Sequence, residues 1–173
     1  MTLREIYEEL RLKEDTLLSR CERETYQASG PGGQKRNRVR SAVRLRHRPS
    51  GISVTASESR RGESNINEAL EKLRIELCLL LFSSRELMSP PAPPDEREFQ
   101  ISFRLASPSH FDFALCVFAA LLALSDCAGE LNCAALKLKT TRSALSRFLK
   151  KHKKVQAAVE TIRVGFGLGP LKW

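Results

Sequence analysis

Aromatic residues are scarce in this chain of 173 residues: eight Phe, two Tyr and one Trp make up 6% of it. That is too few for stacking on bases to be the main way it meets a nucleic acid. Metal-ligand spacing is absent as well. The five cysteines, Cys21, Cys78, Cys116, Cys127 and Cys133, are an odd number with no CxxC pair and no His set beside them. This argues against a metal site and against the disulfide framework of a secreted domain, and leaves buried reduced thiols as the expectation. The most apolar stretch, Phe111 to Leu124, is too short to span a bilayer and contains Asp112, so it reads as a core helix. The first ten residues are acidic and helix-like, without the apolar core of a signal peptide or the Arg-rich bias of a transit peptide. A cytoplasmic protein with no cofactor, no metal and no membrane partner is expected.

A second absence concerns charge and chemistry. No Asp or Glu lies between Lys35 and Arg48, and no His, Cys, Asp or Glu lies between Gln27 and His47. A catalytic triad, a metal site or a carboxylate pair would have to be assembled from elsewhere. With a formal charge of +9 and a pI near 9.7, the chain is biased toward a polyanionic partner.

What is present in this acid-free region is the string Ser29-Gly30-Pro31-Gly32-Gly33-Gln34. Three glycines and a proline before one glutamine make a loop built for its backbone, which something must approach closely. It runs into Lys35, Arg36, Asn37, Arg38 and Arg40. Arg36, Arg38, Arg40, Arg44, Arg46 and Arg48 occupy even positions and Val39, Val43 and Leu45 odd ones, an alternation that places the arginines on one strand face. A solvated sheet face is the plain alternative, but such faces mix signs, and this one suits phosphate.

From Ser29 onward the chain resembles the catalytic domain of class I peptide chain release factors. Asn37, the segment Ser41-Ala42-Val43-Arg44-Leu45, the turn Pro49-Ser50-Gly51-Ile52, and then Arg60, Asn65 and Ala69-Leu70 all fall where that family has corresponding residues. Arg60-Arg61-Gly62 stands where the family reads Arg-Ser-Gln, and Arg38-Val39 where it reads Lys-Thr, departures that bear on contacts to RNA rather than on the tripeptide. The likeness spans roughly Thr16 to Leu81. It implies hydrolysis of peptidyl-tRNA on the ribosome, with Gly32, Gly33 and Gln34 as the catalytic tip. The Gln34 backbone N–H would stabilise the leaving ribose oxygen or oxyanion, and its side chain would shape a pocket for water. The remaining catalytic groups would come from ribosome and tRNA, so the isolated protein should be nearly inert.

The periodicities predict an α+β fold. A helix near Leu3 to Leu12 precedes a small antiparallel sheet with strands at Cys21–Gln27, Arg40–His47 and Ile52–Ala56, the last two joined by a tight turn. A protruding Gly-Gly-Gln loop follows the first strand. Ser64 or Asn65 is expected to cap a packing helix with a stripe of Ile66, Ala69, Leu70, Leu73, Leu77, Leu80 and Leu81. Residues 1–82 would form this domain and 83–98, with Ser89-Pro90-Pro91-Ala92-Pro93-Pro94, a proline-rich linker. Residues 99–173 would form a small basic helical domain with a docked, glycine-rich tail.

Within it, Ala134 to Arg147 resembles a helix-turn-helix in which Leu138 closes the first helix, Thr140 or Thr141 caps the second, and Leu145, Phe148 and Leu149 are buried. Lys139 stands where the turn usually has glycine. Candidate RNA-binding residues are therefore Lys35, Arg36, Asn37, Arg38, Arg40, Arg44, Arg46, Arg60 and Arg61, with Arg142, Arg147, Lys150, Lys151 and Lys154 in the second domain. The layout leaves no room for the decoding modules of release factors that read stop codons. The chain thus resembles the small ribosome-rescue relatives, including mitochondrial-type release-factor-related proteins. The expected partners are large-subunit rRNA and peptidyl-tRNA, with the mRNA channel or tRNA met through the second domain, and a monomeric state is expected. Two competing readings are a non-catalytic ribosome- or RNA-binding factor that kept the fold, and a DNA-binding regulator built on the helix-turn-helix.

Overall fold

A computed structural model of the chain describes residues 1–27, 40–87, 103, 105–171 and 173. These fall into two compact units, Met1–Leu77 and Cys78–Trp173.

In the first unit, helix α1 (Leu3–Arg11) is opened by a capping box. The Glu5 amide donates to the Thr2 hydroxyl at 3.2 Å and the Thr2 amide to the Glu5 carboxylate at 2.7 Å. A short helix α2 (Glu14–Ser19) follows, an element with too few residues to show a hydrophobic period. Strands β1 (Cys21–Tyr26), β2 (Ala42–His47) and β3 (Ser53–Ala56) form an antiparallel sheet in that order. The register runs from Cys21↔His47 to Tyr26↔Ala42, and from Val43↔Ala56 to Arg46↔Ser53. Val43, Leu45, Val54 and Ala56 are buried while Arg44, Arg46, Ser53 and Thr55 are exposed, as period two requires. The Pro49-Ser50-Gly51 turn closes with the Gly51 amide donating to the His47 carbonyl at 2.8 Å. Gly51 has φ +71°, a left-handed conformation that disfavours any side chain.

Helix α3 (Gly62–Leu87) begins before the expected cap and covers 83–87 as well, the first residues of the expected linker. The rest of the proline-rich stretch lies outside the described residues. Ala69, Leu70, Leu73, Leu77 and Leu81 are buried, Ile66 and Leu80 half-buried, and Arg74 and Ile75 are buried too. Lys72 Nζ donates to the Thr55 carbonyl at 3.1 Å, tying the helix to β3. Arg74 donates to the carbonyls of Leu10 at 2.8 Å and Leu12 at 2.6 Å. A buried guanidinium thus satisfies the open end of α1, where carbonyls and the helix dipole favour a cation.

In the second unit, α4 (Phe113–Asp126), α5 (Leu131–Lys137), α6 (Arg142–Leu149) and α7 (Lys153–Gly165) pack together. Helix α4 is the apolar centre, as its composition predicts: of its fourteen residues only four escape full burial. Phe148 of α6 meets Phe113 and Phe103 with ring centroids 5.2 and 5.4 Å away. The tail docks through two residues of α7. Arg163 donates to the Gly129 carbonyl at 2.7 Å and to the Gly169 carbonyl at 2.9 Å, and Glu160 accepts from the Leu171 amide at 3.1 Å and the Trp173 indole at 2.7 Å.

One expectation for the cysteines is corrected. Cys127 and Cys133 are joined as a disulfide with Cα atoms 5.8 Å apart, because the turn between α4 and α5 brings two positions together that spacing alone does not pair. Cys21, Cys78 and Cys116 are buried free thiols.

Candidate functional site

The Gly32-Gly33-Gln34 tip, with Lys35, Arg36, Asn37 and Arg38, lies outside the described residues, and what the structure describes is the frame from which that segment departs. Tyr26↔Ala42 is the last pair of the β1–β2 ladder, so both ends of the connection leave from adjacent strands. The returning arm is held one residue further. Asn65, fully buried in the first turns of α3, donates from Nδ2 to the Ser41 carbonyl at 2.6 Å and to the Ser59 carbonyl at 2.9 Å, while its Oδ1 accepts from the Ser59 amide at 2.9 Å. This corrects its expected role as a helix cap: the helix starts at Gly62, and the amide is spent on two flanking segments instead. Ser59 Oγ in turn accepts from the Arg61 amide at 3.1 Å. The exposed Arg60 and Arg61 are thereby connected, through one buried amide, to the root of the glycine-rich segment.

Arg40, Arg44 and Arg46 are exposed, the last two on one face of β2 as alternation predicts. The strand register adds what the linear charge pattern hides. Arg44 lies opposite Glu24 and Arg46 opposite Glu22, and Arg44 bonds Glu24 at 3.0 Å with its guanidinium 5.5 Å from the Tyr26 ring centre. The acid-free run between Lys35 and Arg48 is therefore partly compensated by the neighbouring strand, so this face carries both signs. Arg48 is committed in another way, donating to the Ser19 carbonyl at 3.0 Å.

Behind the sheet sits a polar cluster that no linear motif announces. His47 is fully buried, with Nδ1 2.8 Å from Ser50 Oγ and Nε2 3.3 Å from Glu9 Oε2, and the other Glu9 oxygen accepts from Arg20 at 2.5 Å. Burial holds the imidazole below its ordinary pKa even though the bond to Glu9 pulls the other way. A neutral ring protonated on Nε2 satisfies every partner: it donates to Glu9 and accepts from Ser50, whose oxygen also accepts from the Ile52 amide at 3.3 Å. The cluster joins α1, the start of β1 and the β2–β3 turn, and is structural. Its members lie far apart in sequence, which is why the chain alone does not reveal it.

In the second unit, Arg142, Arg147, Lys150, Lys151 and Lys154 are all exposed on α6 and at the start of α7. Thr141 caps α6, accepting from the Ala144 amide at 3.2 Å, and Leu138 closes α5. Lys139 takes up φ +52°, so the position where the turn usually has glycine is left-handed with a lysine in it. Between Leu131 and Val159 there are eight Lys or Arg residues and no Asp or Glu. Neither α6 nor α7 has an acid in its first turn, where the helix dipole would favour one. Lys151 is partly engaged within the unit, donating to the Ala106 carbonyl at 2.9 Å beside the Phe148 ring.

The described residues offer little for covalent chemistry. Burial pushes the Cys21 thiol up to about 11 and raises that of Cys78, so both stay protonated at neutral pH. Among the described residues no group of three His, Cys, Asp or Glu is placed to hold a metal, and no helix is long and apolar enough to cross a membrane.

The described part of the first unit is a three-stranded antiparallel sheet followed by α3, with the residues that carry Gly32-Gly33-Gln34 lying in sequence between β1 and β2. The RF-1 domain matches residues 13–100, and the chain belongs to that family. Among curated proteins it is similar to peptide chain release factor 1 of Mycoplasma genitalium, 48% identical over 54 residues, which are 31% of this chain and 15% of that protein. Peptide chain release factor 2 of Phenylobacterium zucineum is 44% identical over 63 residues (36% and 17%), and peptide chain release factor 1 of Onion yellows phytoplasma 39% over 79 residues (46% and 22%). The chain thus spans less than a quarter of the length of these relatives.

Proposed function

We propose that the protein hydrolyses peptidyl-tRNA on stalled ribosomes or split large subunits without reading a stop codon. Membership of the RF-1 domain family, with the Gly-Gly-Gln tripeptide intact in a chain segment framed by β1, β2 and Asn65, is the observation that carries this reading. Water attacks the carbonyl of the ester between peptide and tRNA ribose, the bond to the ribose oxygen breaks, and that oxygen takes up a proton. Products are a free peptide carboxylate and a deacylated tRNA. The Gln34 backbone N–H donates to the ribose oxygen or oxyanion as charge builds, the effect of a fixed donor in a water-poor site. Gly32 and Gly33 let the backbone approach, and the Gln34 amide side chain shapes the space for water. The absence of acid-base residues from the tip segment agrees with a reaction whose proton transfers use ribosomal and tRNA groups.

Codon independence is supported by the kind of contact the second unit can make. Its exposed cations, Arg142, Arg147, Lys150, Lys151 and Lys154, suit phosphates, and phosphate contacts hold RNA without reading its sequence. Lys35, Arg36, Asn37, Arg38, Arg40, Arg44, Arg46, Arg60 and Arg61 would meet large-subunit rRNA. The test is peptide release from ribosomes stalled on mRNA lacking a stop codon, with wild type and Gly33→Ala compared. Release by wild type alone is expected. Ribosome binding with no release by either would overturn the hydrolase reading in favour of a non-catalytic factor.

A further inference from the structure

We propose that Asn65 is a positioning residue for the release reaction, coupling the root of the glycine-rich segment to the arginine-bearing segment 57–61. The inference rests on the release-factor reading above. Its ground is the bonding of a single side chain. The Asn65 amide is fully buried and makes three hydrogen bonds, to Ser41 at 2.6 Å and to both backbone groups of Ser59 at 2.9 Å. The partners dictate which end is which, since two carbonyls need the NH2 and one amide N–H needs the oxygen. Neither Ser41 nor Ser59 belongs to a strand or helix, so the ladder of the sheet does not fix them. Asn65 holds Ser41 immediately beyond the last β1–β2 pair and holds Ser59, whose hydroxyl accepts from the Arg61 amide.

A tip that acts through backbone N–H geometry is sensitive to where its arms are anchored. Misplacement of about 1 Å far from the chemistry can reduce a rate on the order of 100-fold. The anchoring of Arg60 and Arg61 by the same amide makes rRNA docking and tip placement depend on one group.

Asn65→Asp tests this with the same shape: one oxygen still accepts from Ser59, but the other faces two carbonyls that the NH2 had satisfied. In the stop-codon-free release assay with the full chain, Asn65→Asp should lower kcat on the order of 100-fold and raise KM. Ser59→Ala keeps the backbone bonds to Asn65, removes only the link to Arg61, and should raise KM with kcat near wild type. A folded Asn65→Asp protein with wild-type kcat overturns the coupling. Should that variant fail to fold, hydrogen exchange in the wild type decides: the Ser59 amide should be protected despite its irregular backbone, and free exchange there overturns the clamp. Wild type without release activity would instead sink the release-factor reading itself.

Discussion

The two units solve the problem of holding polar chain in opposite ways. Among the described residues all four buried polar or charged side chains, Glu9, His47, Asn65 and Arg74, belong to the first unit. Each ties down a place where regular structure stops: the end of α1, the β2–β3 turn, the return into β2. In the second unit the interior is hydrocarbon around α4, and the ionic residues that shape it, Arg163 and Glu160, stay half-exposed while they fasten the tail. The difference fits the tasks proposed for the two units. Placement of irregular segments needs directional bonds, because a hydrogen bond fixes distance and angle where apolar packing does not. A platform that presents cations needs only to be stable, and burial of apolar area supplies that.

The largest effect that would sharpen this contrast comes from the hydrocarbon interior. Phe148→Ala removes a ring that is 1% exposed and flanked by two others, and should destabilise the second unit by about 3–5 kcal/mol. Residue-resolved hydrogen exchange should show weakened protection in α5 to α7 with β1 to β3 unchanged. Equal weakening in both would show that the units unfold as one and break the comparison.

A smaller effect belongs to the polar interior. His47 is held below the ordinary pKa of 6.5 by burial, so above that pH folded and unfolded chains are both neutral there and its contribution is complete. As pH falls below about 6.5 the unfolded chain takes up the proton first, and stability declines toward the folded-state pKa. Denaturant melts of wild type and His47→Gln between pH 7.5 and about 5 should differ in slope, with the wild type alone losing stability through this ionisation. Parallel profiles would mean that His47 titrates alike in both states.

Smallest on stability is the platform's surface. Arg142→Gln with Lys150→Gln should change unfolding by no more than about 0.5 kcal/mol. Ribosome affinity should nevertheless become less salt-dependent, by about 0.7 to 0.9 in log–log slope for each phosphate no longer neutralised. An unchanged slope would assign binding to the first unit's arginines.

Much of this was legible in linear form because its signals are local. Alternation over Val43 to Leu45 placed β2, Pro49-Ser50-Gly51 placed its turn, and the spacing of Ala69, Leu70, Leu73 and Leu77 placed α3, since each reports on a period of two or 3.6 residues. Thr141 and the run from Leu145 to Leu149 marked α6 in the same manner. Short α2 and the Cys127–Cys133 pairing escaped, the first for want of periods and the second because a turn decides which positions meet.

The sequence by itself determined the family, the tripeptide, the basic character of both halves and the positions of the strands along the chain, all of which depend on residue type and near-neighbour spacing. Only the tertiary structure decided how those charges and amides are used. Opposite each exposed arginine of β2 it set a glutamate of β1, and it brought Asn65 to Ser41 across a separation of 24 residues and Arg74 to Leu10 across 64. Such pairings depend on strand register and helix docking, which the whole fold fixes through the burial of its apolar faces.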